Sequence, residues 1–160
     1  MAHDPEPLKR ILALDLGQVR TGVAVSDSLG WTAQPIGVIK TCPYQKAVAR
    51  IRDLVRQYEV GTIVVGMPYN MTGSEGPQAA WVRQFAKRLA RAVKGTEIAF
   101  WDERLTTFEA EELLIESGMR GPKRKQHRDK IAAALILQSY LEHLRSSAAR
   151  RPDSTPPSGS

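Results

Sequence analysis

Four carboxylates in this chain stand where they could do chemistry. Asp15 closes an apolar run, Asp102 and Glu103 follow directly on Ile98 to Trp101, and Asp129 precedes the apolar stretch Ile131 to Leu137. A carboxylate held among apolar neighbours costs several kcal/mol of desolvation unless a cation, a donor array or a metal compensates it. Singly, each has an ordinary role as a turn residue, an N-cap or a partner for Arg104 or Lys130. Jointly, on one edge of a fold, they make a ligand set for a hard divalent cation, Mg²⁺ or Mn²⁺, which takes carboxylate oxygens and water. Beside basic segments such a cluster suits phosphodiester hydrolysis, in which two ions roughly 3.5–4 Å apart activate a water and stabilise the leaving oxygen.

The elements that must position these acids follow from periodicity. Ile11 to Asp27 (ILALDLGQVRTGVAVSD) is expected to be a β-hairpin, and its first strand has no polar alternation, so both its faces should be covered at the centre of a sheet. Gln34 to Lys40 is a third strand with Pro35 near its start. From Gln45 the apolar residues Val48, Ile51, Leu54, Val55 and Tyr58 recur at helical spacing, and Gly61 is expected to end that helix. Thr62 to Gly66 is a strand, Met67 to Gly76 a turn-rich loop, and a second helix opens at Pro77 and closes at Gly95. Trp81 and Phe85 read as core of that helix and not as base-stacking platforms, and its cations Arg83, Lys87, Arg88, Arg91 and Lys94 as a solvated face with secondary use as a phosphate track. Glu97 to Trp101 is a fifth strand, and a capping box at Thr106 to Glu109 predicts a helix over Phe108 to Ser117. Met119 to Arg128 (MRGPKRKQHR) carries five Lys or Arg and a Gly-Pro, so it is expected to be a mobile basic loop, with Asp129 opening the last helix.

Hairpin-linked strands pair antiparallel, and strands reached through helices lie parallel by right-handed crossovers. The expected fold is therefore α/β, a five-stranded mixed sheet of order 3-2-1-4-5 with helices on both faces. Residues 9–145 form one domain between a disordered N-terminus, 1–8, and a disordered tail, 146–160. Ligands of such sheets bind outside the carboxyl ends of the strands, where strand order reverses. Asp15 sits at such an end, and Asp102 and Glu103 end the fifth strand on the same edge. Alternation along a strand lets only one of that pair face Asp15.

Four motifs in order carry a family resemblance. Asp15-Leu16-Gly17 with Arg20, Gly22, Ala24, Ser26 and Asp27 is the first, and Val65-Gly66-Met67-Pro68 with Asn70, Met71 and Gly73 the second. Asp102-Glu103-Arg104-Leu105-Thr106-Thr107 is the third, and Asp129 followed by Ala133 and Ile136 to Leu141 the fourth. Together, over about Leu8 to Arg145, they resemble the YqgF/RuvX family. The resemblance implies an RNase H-like fold and kinship with Holliday-junction resolvases. It also implies roles in maturing the 5′ end of the small-subunit ribosomal RNA precursor or in cleaving DNA junctions. By the same resemblance Asp15, Glu103 and Asp129 are the metal-binding and catalytic acids, with Asp102 the alternative ligand, and Arg20 holds a substrate phosphate. Asn70, Arg104, Arg120, Lys123, Arg124 and Lys125 are the further substrate-binding candidates. The segment DLGQVRTG also resembles the phosphate-binding hairpin of actin-like ATPases and sugar kinases, but those enclose a nucleotide between two such domains. A third reading is a ribosome-assembly factor that binds nucleic acid without cleaving it.

Composition bounds these readings. A formal net charge of +6 suits a polyanionic partner, structured RNA or branched DNA. A single cysteine, Cys42, and the lack of a long apolar run or signal-like start point to the reducing cytoplasm and away from a membrane. Symmetric cleavage of a four-way junction would need two active sites, and hence a homodimer.

Overall fold

Alternation along the central strands sorts their side chains into two cores, and the helices are distributed accordingly. The computed structural model of the chain describes the backbone of residues 9–106 and 121–150, and side chains over 9–106 and 131–148. Its elements are β1 (Arg10–Leu16), β2 (Arg20–Ser26), β3 (Ala33–Lys40), α1 (Tyr44–Gln57), β4 (Val60–Met67), α2 (Pro77–Ala92) and β5 (Glu97–Asp102). A 3₁₀ turn (Glu103–Leu105) and a long helix, α3 (Gly121–Arg150), follow. The sheet order is β3-β2-β1-β4-β5, with β1-β2 and β2-β3 antiparallel and β1-β4 and β4-β5 parallel, as the pattern of hairpins and crossovers requires.

Leu12, Leu14 and Leu16 of β1 and Ile63, Val65 and Met67 of β4 point toward α1 and α2, where Ile51, Leu54, Val82, Phe85 and Leu89 complete a buried core. Full burial of such a side chain stabilises by about 1.5–3 kcal/mol. The alternate residues Ala13, Ala24 and Val64 face α3 through Ala133, Ile136, Leu137 and Leu141. Alanines on strand and helix let α3 lie close to the sheet, with Trp101 and Tyr140 meeting edge to face at 5.8 Å at its margin. Pro35 lies on the edge strand at a register shift, where Val23 pairs with Gly37 and Ala24 with Pro35, so its missing N–H costs little.

Three of the boundaries that differ from the sequence expectation have a local physical cause. α1 stops at Gln57, because Glu59 adopts a left-handed conformation (φ 52) and reverses the chain before Gly61, which belongs to β4. The Gly-Pro at 121–122 does not exclude helix. It starts α3, since a proline in the first turn gives up an N–H that has no helical partner there. The stretch Gly121 to Arg128 is therefore helical and not a loop, and Asp129 lies within α3 rather than at its start. α3 also continues through Ser146 to Arg150, where Ala148 and Ala149 favour helix, beyond the expected onset of the tail. The helix predicted over Phe108 to Ser117, together with Arg120, lies outside the described residues.

Candidate active site

The end of β1 is fixed by a tight turn and a buried hydroxyl pair. Gly17 N–H donates to the Arg20 carbonyl at 3.0 Å, and a Cβ on Gly17 would come within 2.4 Å of that oxygen, so only glycine closes this turn. Thr41, just past β3, donates its N–H to Val19 O at 3.0 Å and its hydroxyl to Gly17 O at 2.6 Å. With that proton committed, the buried Thr21 hydroxyl donates to Thr41 Oγ1 at 2.7 Å. Thr21 and Thr41 thus clamp the hairpin that carries Asp15, a role absent from the sequence reading. Their only signal was a threonine at each end of paired strands. Arg20 opens β2 opposite Lys40, half-buried on the same edge.

Gly66 lies between the Asp15 position and the Glu103 carboxylate. Leu14 is opposite Val65 in the parallel ladder, and one step further along it Asp15 is level with Gly66. Asp15 follows Ile11 and Ala13 in alternation, and Gly66 follows Val64, so both positions are on the α3 face. A Cβ built on Gly66 would sit 2.7 Å from Ile136 Cδ1, 2.9 Å from Glu103 Cγ and 3.0 Å from Glu103 Oε1. The Glu103 carboxylate therefore rests over Gly66 against α3, one strand away from Asp15, in space that any other residue at position 66 would fill. Adjacent strands lie about 4.8 Å apart.

Asp102 is on the other face. It pairs with Met67, whose side chain is in the α1/α2 core, and its carboxylate is taken by Arg104. Arg104 Nε donates to Asp102 Oδ1 and Oδ2 at 3.0 and 3.1 Å, Nη2 donates to Oδ2 at 2.6 Å, and the Arg104 N–H donates to Oδ1 at 3.0 Å. The Arg104 guanidinium holds the Asp102 carboxyl below the usual aspartate range, and Asp102 in turn raises Arg104. The remaining nitrogen, Arg104 Nη1, donates to Asn70 O at 3.2 Å and Met71 O at 3.3 Å. Arg104 is thus a latch on the loop after β4 and has little donor capacity left for substrate. Asn70 also works within that loop, its Nδ2 donating to Ser74 Oγ at 3.0 Å and its N–H to Ser74 O at 2.9 Å. A second tie, Arg83 with Glu75, anchors the far end of the loop to α2, and Arg83 holds the Glu75 carboxyl below its ordinary range.

Asp129 lies seven residues before Ile136, about 10 Å of helical rise toward the start of α3. Its side chain and those of Lys123, Arg124 and Lys125 are outside the described residues. Among the described residues no three metal-ligating side chains gather. The pair Asp15 and Glu103 nevertheless fits a hard divalent cation: two carboxylates on one face, with between them a glycine whose missing side chain leaves the Glu103 carboxylate its place.

The sequence profile of the RuvX family, described as Holliday junction resolvase, matches residues 9–143. This chain is a member of the RuvX family. Relatives in it include a protein of Pelotomaculum thermopropionicum named "Putative pre-16S rRNA nuclease", 54% identical over 134 residues that span 83% of this chain and 86% of the relative. One of the same name from Clostridium perfringens is 46% identical over 84% of this chain and 98% of its own length. Among solved structures, Thermus thermophilus RuvC in complex with a Holliday junction substrate superposes with a TM-score of 0.54 at 14% identity, covering 84% of this chain and 96% of that one. The fowlpox virus Holliday junction resolvase gives 0.51 at 20% identity, covering 84% and 99%. Those two likenesses establish for this RuvX member the RNase H-like fold that the sheet order suggests.

Proposed function

We propose that this RuvX-family chain is a metal-dependent endonuclease that hydrolyses phosphodiester bonds in structured nucleic acid, with the 5′ end of pre-16S ribosomal RNA as its substrate. The observation that carries the reading is the Glu103 carboxylate lying over Gly66 beside the Asp15 position. Asp15, Glu103 and Asp129 hold the cation, Mg²⁺ or Mn²⁺, which when bound supplies an activated water and charge for the leaving oxygen. Arg20, on the edge next to Asp15, orients the phosphate. The Thr21–Thr41 clamp holds the hairpin that carries Asp15, and the Asp102–Arg104 latch holds the loop after β4. The names of the relatives favour the ribosomal precursor. The description of the family favours a second substrate, the DNA four-way junction.

A side-by-side assay on ribosomal precursor RNA and synthetic junction DNA, with and without Mg²⁺ or Mn²⁺, tests the reading. Metal-dependent cleavage of the RNA should vanish in Asp15→Asn. Metal should also raise the Tm of the wild type by mass action, and this rise should shrink in the variant. Binding without cleavage under every condition would leave a non-catalytic assembly factor, and cleavage of the junction alone would move the substrate to DNA.

A further inference from the structure

The charge of this protein is concentrated on the side of the sheet that does not hold the acid pair. α1 carries four Lys or Arg against the single acid Asp53, and α2 carries four against none, a net of +7 where the whole chain has +6. Everything outside these two helices is, on balance, slightly acidic. Only Arg83 of these eight cations is paired with an acid among the described residues, and Arg50, Arg56, Lys87 and Arg91 are exposed. Lys87 and Arg91 stand one helical turn apart, a like-charge spacing that disfavours the helix itself. Solvated faces of soluble proteins ordinarily mix both signs. A surface that keeps such repulsion gains from a partner that supplies a row of negative charge.

We propose that the outward face of α1 and α2 is a second nucleic-acid contact surface, which grips the phosphate backbone of a folded substrate away from the cleaved segment. The proposal rests on the nuclease reading and adds a demand on the shape of the substrate. α2 is 16 residues long, about 24 Å, which matches about seven nucleotides of one strand. At the carboxyl edge the two helices leave a cavity of about 420 Å³ lined by Thr41, Tyr44, Trp81 and Arg88, with the Arg88 guanidinium 4.1 Å over the Tyr44 ring. Thr41 also clamps the hairpin turn, so the cationic face reaches the edge where Asp15 ends β1. Asp15 and Glu103 open on the α3 side, however, and a short linear strand seated there does not reach α1 and α2. A nucleic acid that touches both must turn over the edge, as a hairpin with a single-stranded extension does.

The test uses the full-length chain with Arg50, Arg56, Lys87 and Arg91 all replaced by glutamine, and a charge-preserving version with lysine at 50, 56 and 91. Dissociation constants are measured without metal, so that nothing is cleaved, across a salt series. The probes are a long RNA hairpin with a single-stranded 5′ extension, and the extension alone. For the hairpin the glutamine variant should bind at least about tenfold more weakly, with a log–log salt slope lower by about three, while the lysine version keeps the slope. Affinity for the extension alone should hardly change, and thermal melting confirms that each variant is folded. An unchanged hairpin slope in the glutamine variant overturns the proposal, as does a wild type that does not bind the hairpin. A wild type that shows the expected slopes yet cleaves nothing when metal is added refutes the nuclease reading and leaves this surface standing.

Discussion

Replacing Gly66 with alanine puts one methyl group where the structure leaves no room. The new Cβ would lie 2.7 Å from Ile136 Cδ1 and 2.9 Å from Glu103 Cγ, against an ordinary carbon contact of about 3.5–4.0 Å. Ile136 is 1% exposed and packed between α3 and the sheet, so it cannot swing away. Glu103 is only half-buried at the end of β5, and it is the side chain that yields. The stability loss should therefore be at the low end of overpacking, about 1–2 kcal/mol, or about 3–6 °C in Tm for a chain of this length. A carboxylate displaced by about 1 Å costs on the order of a hundredfold in rate, so cleavage should fall far more than stability. The assay pairs thermal melting with single-turnover cleavage of precursor RNA at saturating metal. The double variant Gly66→Ala, Ile136→Val separates the two effects. Removing Ile136 Cδ1 relieves one clash and should restore most of the stability, while the contact with Glu103 persists and cleavage stays low. Gly66→Ala with cleavage within twofold of wild type would show that Glu103 does not act from the position over Gly66.

The two acids at the end of β5 should behave oppositely: Glu103→Gln abolishes cleavage, whereas Asp102→Asn loses far less and chiefly loosens the loop latched by Arg104. The reverse ranking in single-turnover assays would put the strand one residue out of register. Because Arg104 depresses the Asp102 carboxyl, Asp102 contributes stability that is present above its unfolded value, about pH 4, and is lost as pH falls through the lower folded value. The difference in urea midpoint between wild type and Arg104→Gln should accordingly close on acidification, and a gap that widens would refute the assignment. Thr41→Val removes the donor to Gly17 O and the acceptor for the buried Thr21 hydroxyl, at a cost of about 1–3 kcal/mol by denaturant titration. Thr41→Ser should retain most of it, and a larger loss for serine than for valine would mean that the methyl and not the hydroxyl matters.

What the sequence makes legible here is what periodicity and connectivity determine. Apolar runs without polar alternation at Ile11 to Leu14 and Ile63 to Gly66 identify strands covered on both faces, and the change from hairpins to helical connections is enough for the order 3-2-1-4-5. The same alternation says that Asp102 and Glu103 must part company. It does not say which goes where, because that depends on the register of β5 against β4, where Met67 meets Asp102. The start of α3 was misread because Gly-Pro breaks a helix interior but suits a first turn, and the two cases share one dipeptide. The end of α1 was misread because a glutamate took the left-handed position that Gly61 invites. Thr21 and Thr41 were invisible because a hydroxyl pair across a hairpin leaves no periodic mark.

The cover that α3 provides over Ala13, Ala24 and Val64 also sets a schedule for the life of the chain. The central strand is made first, its parallel neighbour follows, and the helix that seals their second face is made last. Domains form from the N-terminus as synthesis proceeds, so one side of this sheet stays bare until α3 has been synthesised. Ile136, the residue that walls in Glu103 over Gly66, belongs to that helix. The acid pair therefore gains its enclosure only once α3 has been made, and a growing chain without that helix is unlike one that has it in leaving the Glu103 carboxylate unwalled over Gly66.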